Sequence, residues 1–320
     1  FHFGSNPHHI VGMISHLGPQ LAVGSGIALG HLLSNQPKIA VAFSGEGGTS
    51  EGDFHEALNV AAVWQLPVIF MIENNGYGLS TPTNEQYRCK QLVDRAIGYG
   101  MEGVQIDGNN LLEVYHTVHS LAQSMHQNPR PVLIEAMTFR MRGHEEASGT
   151  KYVPQELMDE WAVKDPVTNY ENYLLNEGVL TPDSKKQIEA SLTKRINTDL
   201  KAAYAQPEVT ADTEYELQDV YQPHVPVVLT PKTESKSSKR FVEAISDALR
   251  QAMELYPNLI FMGQDIAEYG GAFKITDGFV GQFGKERVRN TPICESAILG
   301  IALGLSIKGY KSMVEMQFAD

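Results

Sequence analysis

The stretch Lys-Ile-Ala-Val-Ala-Phe-Ser-Gly-Glu-Gly-Gly, residues 38–48, carries the strongest indication of the fold. Its first half is an apolar run of strand length, and its second half is a glycine-rich loop. A helical pattern then extends to about Gln65, opened by Ser50 and Asp53 at the spacing of a capping box, and the next apolar run is Val68–Ile72. Strand, loop, helix and strand in this order predict two neighbouring parallel strands joined by a helix.

The same alternation continues towards the middle of the chain. Helical patterns over residues 92–99 and 111–127 alternate with short apolar runs at residues 104–106 and 131–137. A stretch rich in small residues, 18–33, predicts one further helix before the first strand. We therefore predict an α/β fold, with parallel sheets flanked by helices.

A change of composition divides the chain near residue 206. Residues 207–239 hold four prolines and a run of Ser, Lys, Thr and Glu, which is typical of a linker. Helix and strand patterns resume from residue 241, with strands predicted at 259–262 and 311–318. We predict two α/β units, residues 1–205 and 239–320, joined by a linker at 206–238. Neither end carries a start or stop pattern, so we expect a segment truncated at both ends.

Composition argues against several classes of function. The chain of 320 residues has 25 Lys and Arg against 38 Asp and Glu, a net charge of −13, and it has no basic cluster for nucleic acid. No apolar run reaches the ~18 residues that a membrane span needs. The two cysteines, Cys89 and Cys294, form neither a disulfide framework nor a cysteine zinc site, which indicates a reducing, cytoplasmic setting.

The glycine-rich loop excludes two common phosphate-binding motifs. The dinucleotide fingerprint needs a third glycine where Ser50 stands, and no Gly-Lys-Ser or Gly-Lys-Thr of a P-loop occurs. A nicotinamide-dependent oxidoreductase is therefore disfavoured. Glu46 would repel a phosphate unless a divalent cation lay between them, and Asn74-Asn75, directly after the next strand, would supply a further oxygen ligand. The alternative for Glu46 is a loop carboxylate near a helix N-terminus.

Taken together, the two motifs resemble those of a known family. Gly45-Glu46-Gly47 followed, after residues 48–73, by Asn74-Asn75 resembles the thiamine diphosphate motif. Residues 50–56 and 73–82 are similar to the alpha subunit of the thiamine diphosphate-dependent 2-oxo acid dehydrogenases, decarboxylating component. Residues 290–295 and 315–320 resemble the start of the beta subunit of the same enzymes. The resemblance implies the thiamine diphosphate-binding fold in an alpha–beta fused, branched-chain-like form.

The resemblance also implies the residues that bind the cofactor and its Mg²⁺. Glu46 stands where the motif usually has aspartate, as a metal ligand, with Asn75 and the backbone oxygen of Tyr77 as the others. Backbone near the diphosphate would come from Gly45, Gly47 and Gly48. Ser15 and Leu17 match the segment beneath the cofactor, where Leu17 would hold it bent. The alternative for Leu17 is an ordinary core leucine.

Two further residues would act in catalysis by the same resemblance. Glu295 matches the glutamate that hydrogen-bonds the aminopyrimidine ring and promotes its imino tautomer. Its alternative is a dipole partner at a helix start. His144 matches a histidine of the active-site loop that stabilises charge or transfers protons. Its alternative is a solvated loop histidine.

The implied reaction is oxidative decarboxylation of a 2-oxo acid with reductive acylation of lipoamide. The partners implied are a 2-oxo acid, the lipoyl domain of the dihydrolipoamide acyltransferase, and a second fused chain in a homodimer whose interface holds the cofactor. Glu46 and residues 80–83 favour a branched-chain 2-oxo acid. Pyruvate, acetoin and a non-catalytic scaffold fragment stay open as alternatives.

Overall fold

The structure is a computed structural model that describes residues 3–12, 17–145, 147, 149–221, 223, 225–226, 228, 230 and 237–318. The chain divides by contacts into two compact units, one of Phe1–Pro166 with Lys239–Asp320 and one of Val167–Ser238. The domain boundaries inferred from composition, at residues 205 and 239, stay predictions. No helix within the described ranges is long and apolar enough to cross a bilayer.

The strands of the larger unit are parallel except for one short hairpin. They are β1 (Ala40–Gly45), β2 (Val68–Asn74), β3 (Tyr77–Gly78), β4 (Thr81–Pro82), β5 (Glu102–Asp107), β6 (Val132–Met137), β7 (Leu259–Gly263), β8 (Val288–Asn290) and β9 (Lys311–Val314). One parallel sheet has the order β1-β2-β6-β5, a second has the order β8-β7-β9, and β3 pairs with β4 antiparallel. The predicted parallel α/β fold is confirmed.

Helices cover these sheets and make up the smaller unit. They are α1 (Pro19–Leu33), α2 (Gly52–Trp64), α3 (Thr83–Gln86), α4 (Arg95–Tyr99), α5 (Leu111–Gln127), α6 (Gln155–Ala162), α7 (Pro166–Asn176), α8 (Pro182–Tyr204), α9 (Thr213–Gln218), α10 (Phe241–Leu255), α11 (Phe279–Phe283) and α12 (Glu295–Ile307). Short 3-10 turns occur at Asn6–His8, Gly47–Ser50 and Leu92–Asp94. In the smaller unit, Lys185 on α8 pairs with Glu171 on α7 at 2.6 Å.

Two local predictions are wrong. The capping box at Ser50 does not form, because Ser50 lies in a 3-10 turn and its hydroxyl donates to Gln86 Oε1 at 3.4 Å, so that α2 begins only after Glu51. The last strand ends at Val314 rather than Phe318. The Glu315 N–H still donates to the Met262 carbonyl of β7 at 2.9 Å, after which the backbone leaves the sheet and the Gln317 side chain donates to the Gln264 carbonyl at 3.0 Å.

The small residues of α1 are explained by its contact with α12. A Cβ added at Gly26 would lie 2.2 Å from the Ile301 carbonyl oxygen, and one at Gly304 would lie 2.2 Å from the Val23 carbonyl oxygen. The two helices therefore touch backbone to backbone. Buried side chains of both belong to one apolar core with α2, β1 and β2. This contact joins the two separated stretches of the larger unit.

Candidate functional site

The two motif halves meet at one edge of the first sheet. Gly45 ends β1 and pairs in register with Glu73, one residue before the end of β2. Because the strands are parallel, the loops that follow them leave at the same edge. Glu46 and Asn75 are consequently neighbours, as the sequence predicted.

Glu46 is a buried carboxylate that is only half satisfied. It is 1% exposed, and its Oε2 accepts from the backbone N–H of Asn75 at 3.1 Å and from Asn75 Nδ2 at 3.0 Å. Its Oε1 is buried and has no hydrogen-bond partner among the described residues. Burial raises the pKa of Glu46, against the opposing effects of the Asn75 hydrogen bond and the Arg140 charge. A buried carboxylate oxygen without a donor is unfavourable on its own, and it is the kind of atom that a cation satisfies.

A tight turn holds the other two predicted ligand oxygens. Gly76 adopts a φ of +84°, and its N–H donates to Asn74 Oδ1 at 3.1 Å. Asn75 Oδ1 and the Tyr77 carbonyl oxygen both accept from the Arg140 guanidinium, at 2.9 and 2.7 Å. Each of these oxygens therefore already faces a positive charge.

The donor set fits a hard divalent cation. It consists of one carboxylate oxygen, one amide oxygen and one carbonyl oxygen, which are the ligand types that Mg²⁺ takes. No cluster of three or more His, Cys, Asp and Glu side chains suited to a metal exists in the part of the chain that the structure describes. Among the predicted ligands Glu46 supplies the carboxylate, so a cation at this edge would need further oxygens from a bound group.

The glycines of the loop have different surroundings. A Cβ at Gly48 would lie 2.6 Å from Ser44 Oγ, and one at Gly47 would lie 3.1 Å from the Gly78 Cα. These two glycines let the loops pack closely. A Cβ at Gly45 would meet nothing within 4 Å. The backbone at Gly45 is therefore open on the side where a side chain would stand.

A second buried glutamate supports the site and was missed in the sequence. Glu135 on β6 is buried, and its Oε1 accepts from Asn74 Nδ2 at 2.7 Å. Its Oε2 accepts from the Val93 N–H at 3.0 Å and from Gln105 Nε2 at 3.1 Å. Asn74 in turn anchors the turn that carries Asn75. The available signal was an acidic residue inside an otherwise apolar strand, Val132–Met137.

The predicted residues beneath the cofactor are only partly described. Ser15 lies outside the described residues. Leu17 is 57% exposed, and a Cβ added at Gly48 would lie 3.9 Å from the Leu17 Cβ. Leu17 is therefore no ordinary core leucine, and it borders the glycine loop. Its proposed role in bending a cofactor stays a prediction.

His144 is exposed and is tied to the same guanidinium. Arg140 Nη1 donates to His144 Nδ1, so the neutral ring carries its proton on Nε2. Arg140 thus contacts His144, Asn75 and Tyr77 at once. Arg140 is the second residue whose part in the site was missed, because the sequence showed it only as one charge in a loop.

Glu295 is the first residue of α12 and is exposed. Its Oε1 accepts from Gln264 Nε2 at 2.7 Å. The preceding Cys294 is buried, and burial, followed by the charges of Glu56 and Glu295, raises the pKa of its thiol to about 12. A raised pKa favours the neutral thiol, which argues against Cys294 as a nucleophile. Glu295 and Glu46 belong to one compact unit of one chain.

Comparison with known protein families gives two matches that together span most of the chain. Residues 1–212 match the family model "Dehydrogenase E1 component". Residues 237–320 match the model "Transketolase, pyrimidine binding domain". The first match covers the Glu46, Asn75 and His144 region, and the second covers Glu295.

Individual relatives carry related names. The chain is 36% identical over 219 residues to the 2-oxoisovalerate dehydrogenase subunit alpha of Bacillus subtilis, covering 67% of this chain and 66% of the relative. It is 37% identical over 193 residues to the 3-methyl-2-oxobutanoate dehydrogenase subunit alpha of Mycobacterium tuberculosis, covering 60% of this chain and 52% of the relative. A pyruvate dehydrogenase E1 component subunit alpha of Bacillus subtilis is 32% identical over 203 residues, covering 61% of this chain and 55% of the relative. The chain therefore spans about half to two thirds of the length of these relatives.

Proposed function

The chain belongs to the dehydrogenase E1 component family, and on that premise we propose that it takes part in the oxidative decarboxylation of a 2-oxo acid with thiamine diphosphate and Mg²⁺. The observation that carries the proposal is the buried Glu46 carboxylate with its unpartnered Oε1. It lies beside Asn75 at the edge of a parallel sheet, where ligands of such folds bind. The two family matches, one to a dehydrogenase domain and one to a pyrimidine-binding domain, support the same cofactor.

Mg²⁺ would be held by Glu46, Asn75 Oδ1 and the Tyr77 carbonyl oxygen. The cation would satisfy the orphaned Glu46 oxygen and remove the repulsion between that carboxylate and a diphosphate. Gly45, Gly47 and Gly48 would bring backbone close to the diphosphate. Leu17 and Ser15 would contact the cofactor from below.

The chemistry at the substrate would be divided between cofactor and protein. When bound, thiamine diphosphate supplies the nucleophilic carbon at which a 2-oxo acid loses CO₂. The Glu295 carboxylate would accept a hydrogen bond from the aminopyrimidine ring, exchanging its present partner Gln264 for it. His144, protonated on Nε2, would donate that proton to an oxygen of the substrate.

The substrate we propose is a branched-chain 2-oxo acid. Several relatives are named for 2-oxoisovalerate, which is the same compound as 3-methyl-2-oxobutanoate, and they are 32–38% identical to this chain, while the pyruvate relatives are 32% identical. Pyruvate is the second candidate on the strength of those relatives. Acetoin has no observation in its favour.

The partners we propose are a lipoyl domain of a dihydrolipoamide acyltransferase and a second copy of the chain. Matches to a dehydrogenase domain and a pyrimidine-binding domain in one chain support the alpha–beta fused form, with the regions 1–205 and 239–320 as its two domains. A homodimer of such chains stays a prediction, and so does a cytoplasmic location.

Calorimetric titration of thiamine diphosphate into the full-length protein tests this function. We expect binding with Mg²⁺ that is lost in EDTA, and a loss of about 100-fold in affinity for Glu46→Ala and Glu46→Gln, since each removes the one charged ligand. The matched control is Glu51→Ala, an exposed carboxylate near the loop without a capping bond, which should bind like wild type. A wild type that binds no cofactor would favour the non-catalytic scaffold instead.

A further inference from the structure

A third segment of the chain contacts both halves of the candidate cation site. It is the turn at residues 92–94 together with Arg95, the first residue of α4. Val93 is buried, and its N–H donates to Glu135 Oε2 at 3.0 Å. The other oxygen of Glu135 accepts from Asn74 Nδ2 at 2.7 Å. The segment is therefore fixed relative to the end of β2 and to the turn that follows it.

The side chain of Arg95 reaches the glycine loop. Its Nη1 donates to the Thr49 carbonyl oxygen at 2.6 Å. Thr49 is fully buried, and its hydroxyl and its backbone N–H both donate to the Glu46 carbonyl oxygen, at 2.6 and 3.1 Å. A single residue thus separates Arg95 from the backbone that carries the predicted metal-binding carboxylate.

Two aromatic rings contact the same guanidinium. The Arg95 Cζ lies 5.7 Å from the ring centroid of Phe54, in the first turn of α2, and 5.3 Å from the ring centroid of Tyr87. Both distances lie within the range of cation–π contacts. The Tyr87 hydroxyl in turn accepts from Asn74 Nδ2 at 3.0 Å. The guanidinium therefore connects the helix after the glycine loop with the turn after β2.

These contacts are those of a residue that holds segments together. The Thr49 carbonyl is the one hydrogen-bond partner of the Arg95 side chain within the described ranges, and no carboxylate there forms an ion pair with it. Arg130, by contrast, pairs with Glu102 at 2.7 Å. A planar guanidinium can donate to a carbonyl and stack on aromatic rings at once, and an ammonium group cannot.

We propose that Arg95 is a positioning residue that fixes the separation between the glycine loop and the turn after β2, and with it the separation of Glu46 from Asn75. Glu46 Oε2 meets Asn75 across this gap, through hydrogen bonds of 3.1 and 3.0 Å. A small cation with fixed ligand distances needs a gap that is held constant. The proposal rests on the proposed function, because it takes Glu46 and Asn75 as ligands of the cation.

Mn²⁺ binding to the full-length protein, followed by electron paramagnetic resonance with and without inorganic pyrophosphate, tests this role. Arg95→Met keeps about the same side-chain length but loses the hydrogen bond and the charge. We expect it to bind Mn²⁺ about 10- to 100-fold more weakly per folded molecule, which is the usual loss when a group that orients a metal ligand is removed. Arg95→Lys should fall between Arg95→Met and wild type, because its ammonium can donate to Thr49 but does not stack on the rings.

The matched control is Arg130→Met, which removes the same charge from the same unit. Arg130 and its partner Glu102 lie at the opposite edge of the first sheet, where β5 and β6 begin. Mn²⁺ affinity in this variant should stay within about twofold of wild type, because salt screens a charge at that distance. Equal losses for Arg95→Met and Arg130→Met would reduce the effect to charge and would overturn the proposal.

The spectrum of the bound ion separates positioning from stability. If Arg95 only stabilised the fold, each folded variant molecule would bind Mn²⁺ with the affinity and the spectrum of wild type. We expect a broader spectrum in Arg95→Met, because the ligand oxygens are less well fixed. Wild-type affinity and spectrum in folded Arg95→Met would overturn the proposal. Wild-type affinity in Arg95→Lys would also overturn it, whether or not Arg95→Met folds.

Hydrogen exchange supplies a second local readout. In Arg95→Met the amides of Thr49 and Asn75, which donate to the carbonyl and the carboxylate of Glu46, should exchange faster than in wild type. The amide of Ile134, in the middle of the buried strand β6, should keep its rate. Faster exchange of all three amides by the same factor would mean a general loss of stability and would contradict the proposal.

The failure of this inference can be told from the failure of the proposed function. If wild type binds no Mn²⁺, or if Glu46→Gln leaves its affinity unchanged, the cation site itself is wrong. If binding depends on Glu46 while both Arg95 variants bind like wild type, only the positioning role of Arg95 is wrong.

Discussion

Glu56 on α2 accepts a hydrogen bond of 2.9 Å from the backbone N–H of Ala297, 241 residues further along the chain. Ala297 lies in the first turn of α12, where backbone N–H groups lack partners within the helix. The N-cap residue of α12, Cys294, provides no side-chain capping bond. Glu56 therefore caps this helix from a distant segment, and it ties the start of the helix that carries Glu295 to the helix that follows the glycine loop.

Loss of this cap should open the start of α12. Glu56→Ala leaves the Ala297 N–H without its acceptor, and a lost cap costs about 0.5–2 kcal/mol. The amides of Ala297 and Ile298 should then exchange with solvent about 2- to 30-fold faster. Glu56→Gln, which keeps an acceptor oxygen, should show a smaller effect, and Glu51→Ala should show none. Equal protection in Glu56→Ala and wild type would show that the bond does not cap the helix.

The helix crossing gives a steric prediction. Gly26→Ala would put a methyl group 2.2 Å from the Ile301 carbonyl oxygen, so α1 and α12 must separate. We expect a loss of about 1–3 kcal/mol in urea unfolding. The control is Gly98→Ala in α4, where a Cβ meets nothing within 4 Å and alanine favours the helix by up to about 1 kcal/mol. A stable Gly26→Ala protein would mean that the crossing is looser than described.

The buried His31 makes stability depend on pH. Burial, followed by the positive charge of Lys308, lowers the pKa of His31 below its ordinary value of 6.5. His31 therefore takes up a proton near pH 6.5 in the unfolded chain but only at a lower pH in the folded chain. The free energy of unfolding consequently falls as the pH drops below 6.5. His31→Gln, which does not titrate, should lose less unfolding free energy than wild type between pH 7.5 and 5.5. Parallel pH curves for the two proteins would contradict this.

Replacing the buried Glu135 by glutamine should lower the stability of the protein. Both carboxylate oxygens accept hydrogen bonds, so Glu135→Gln turns one acceptor into an NH₂ group that faces other donors. We expect a loss of about 1–3 kcal/mol in the free energy of unfolding. Glu102→Gln, which breaks an exposed pair with Arg130 at 2.7 Å, is the control and should cost at most about 1 kcal/mol. Equal losses in the two variants would argue against a special role for Glu135.

The part of the site that could be predicted from the sequence follows from sheet geometry. Apolar runs before Glu46 and Asn74 predict neighbouring parallel strands. Parallel strands have their carboxyl ends at the same edge of the sheet, so the proximity of Glu46 to Asn75 follows from this prediction. The core strands and the helix at residues 111–127 follow from periodicity in the same way.

The missed residues depend on contacts between distant segments. Glu135 acts through Asn74, Val93 and Gln105, and no local pattern connects these positions. Arg140 reaches Asn75 and Tyr77 only because an irregular loop folds back over the turn after β2. The predicted capping box at Ser50 does not form for a similar reason, since the Ser50 hydroxyl donates to Gln86 Oε1 from another segment.

Anomalous diffraction of Mn²⁺ in crystals of the full-length protein grown with thiamine diphosphate tests directly whether Glu46, Asn75 and Tyr77 bind a divalent cation. We expect a single strong peak within about 2.0–2.3 Å of a Glu46 carboxylate oxygen, Asn75 Oδ1 and the Tyr77 carbonyl oxygen. A peak at other residues, or no peak, would contradict this assignment of the ligands.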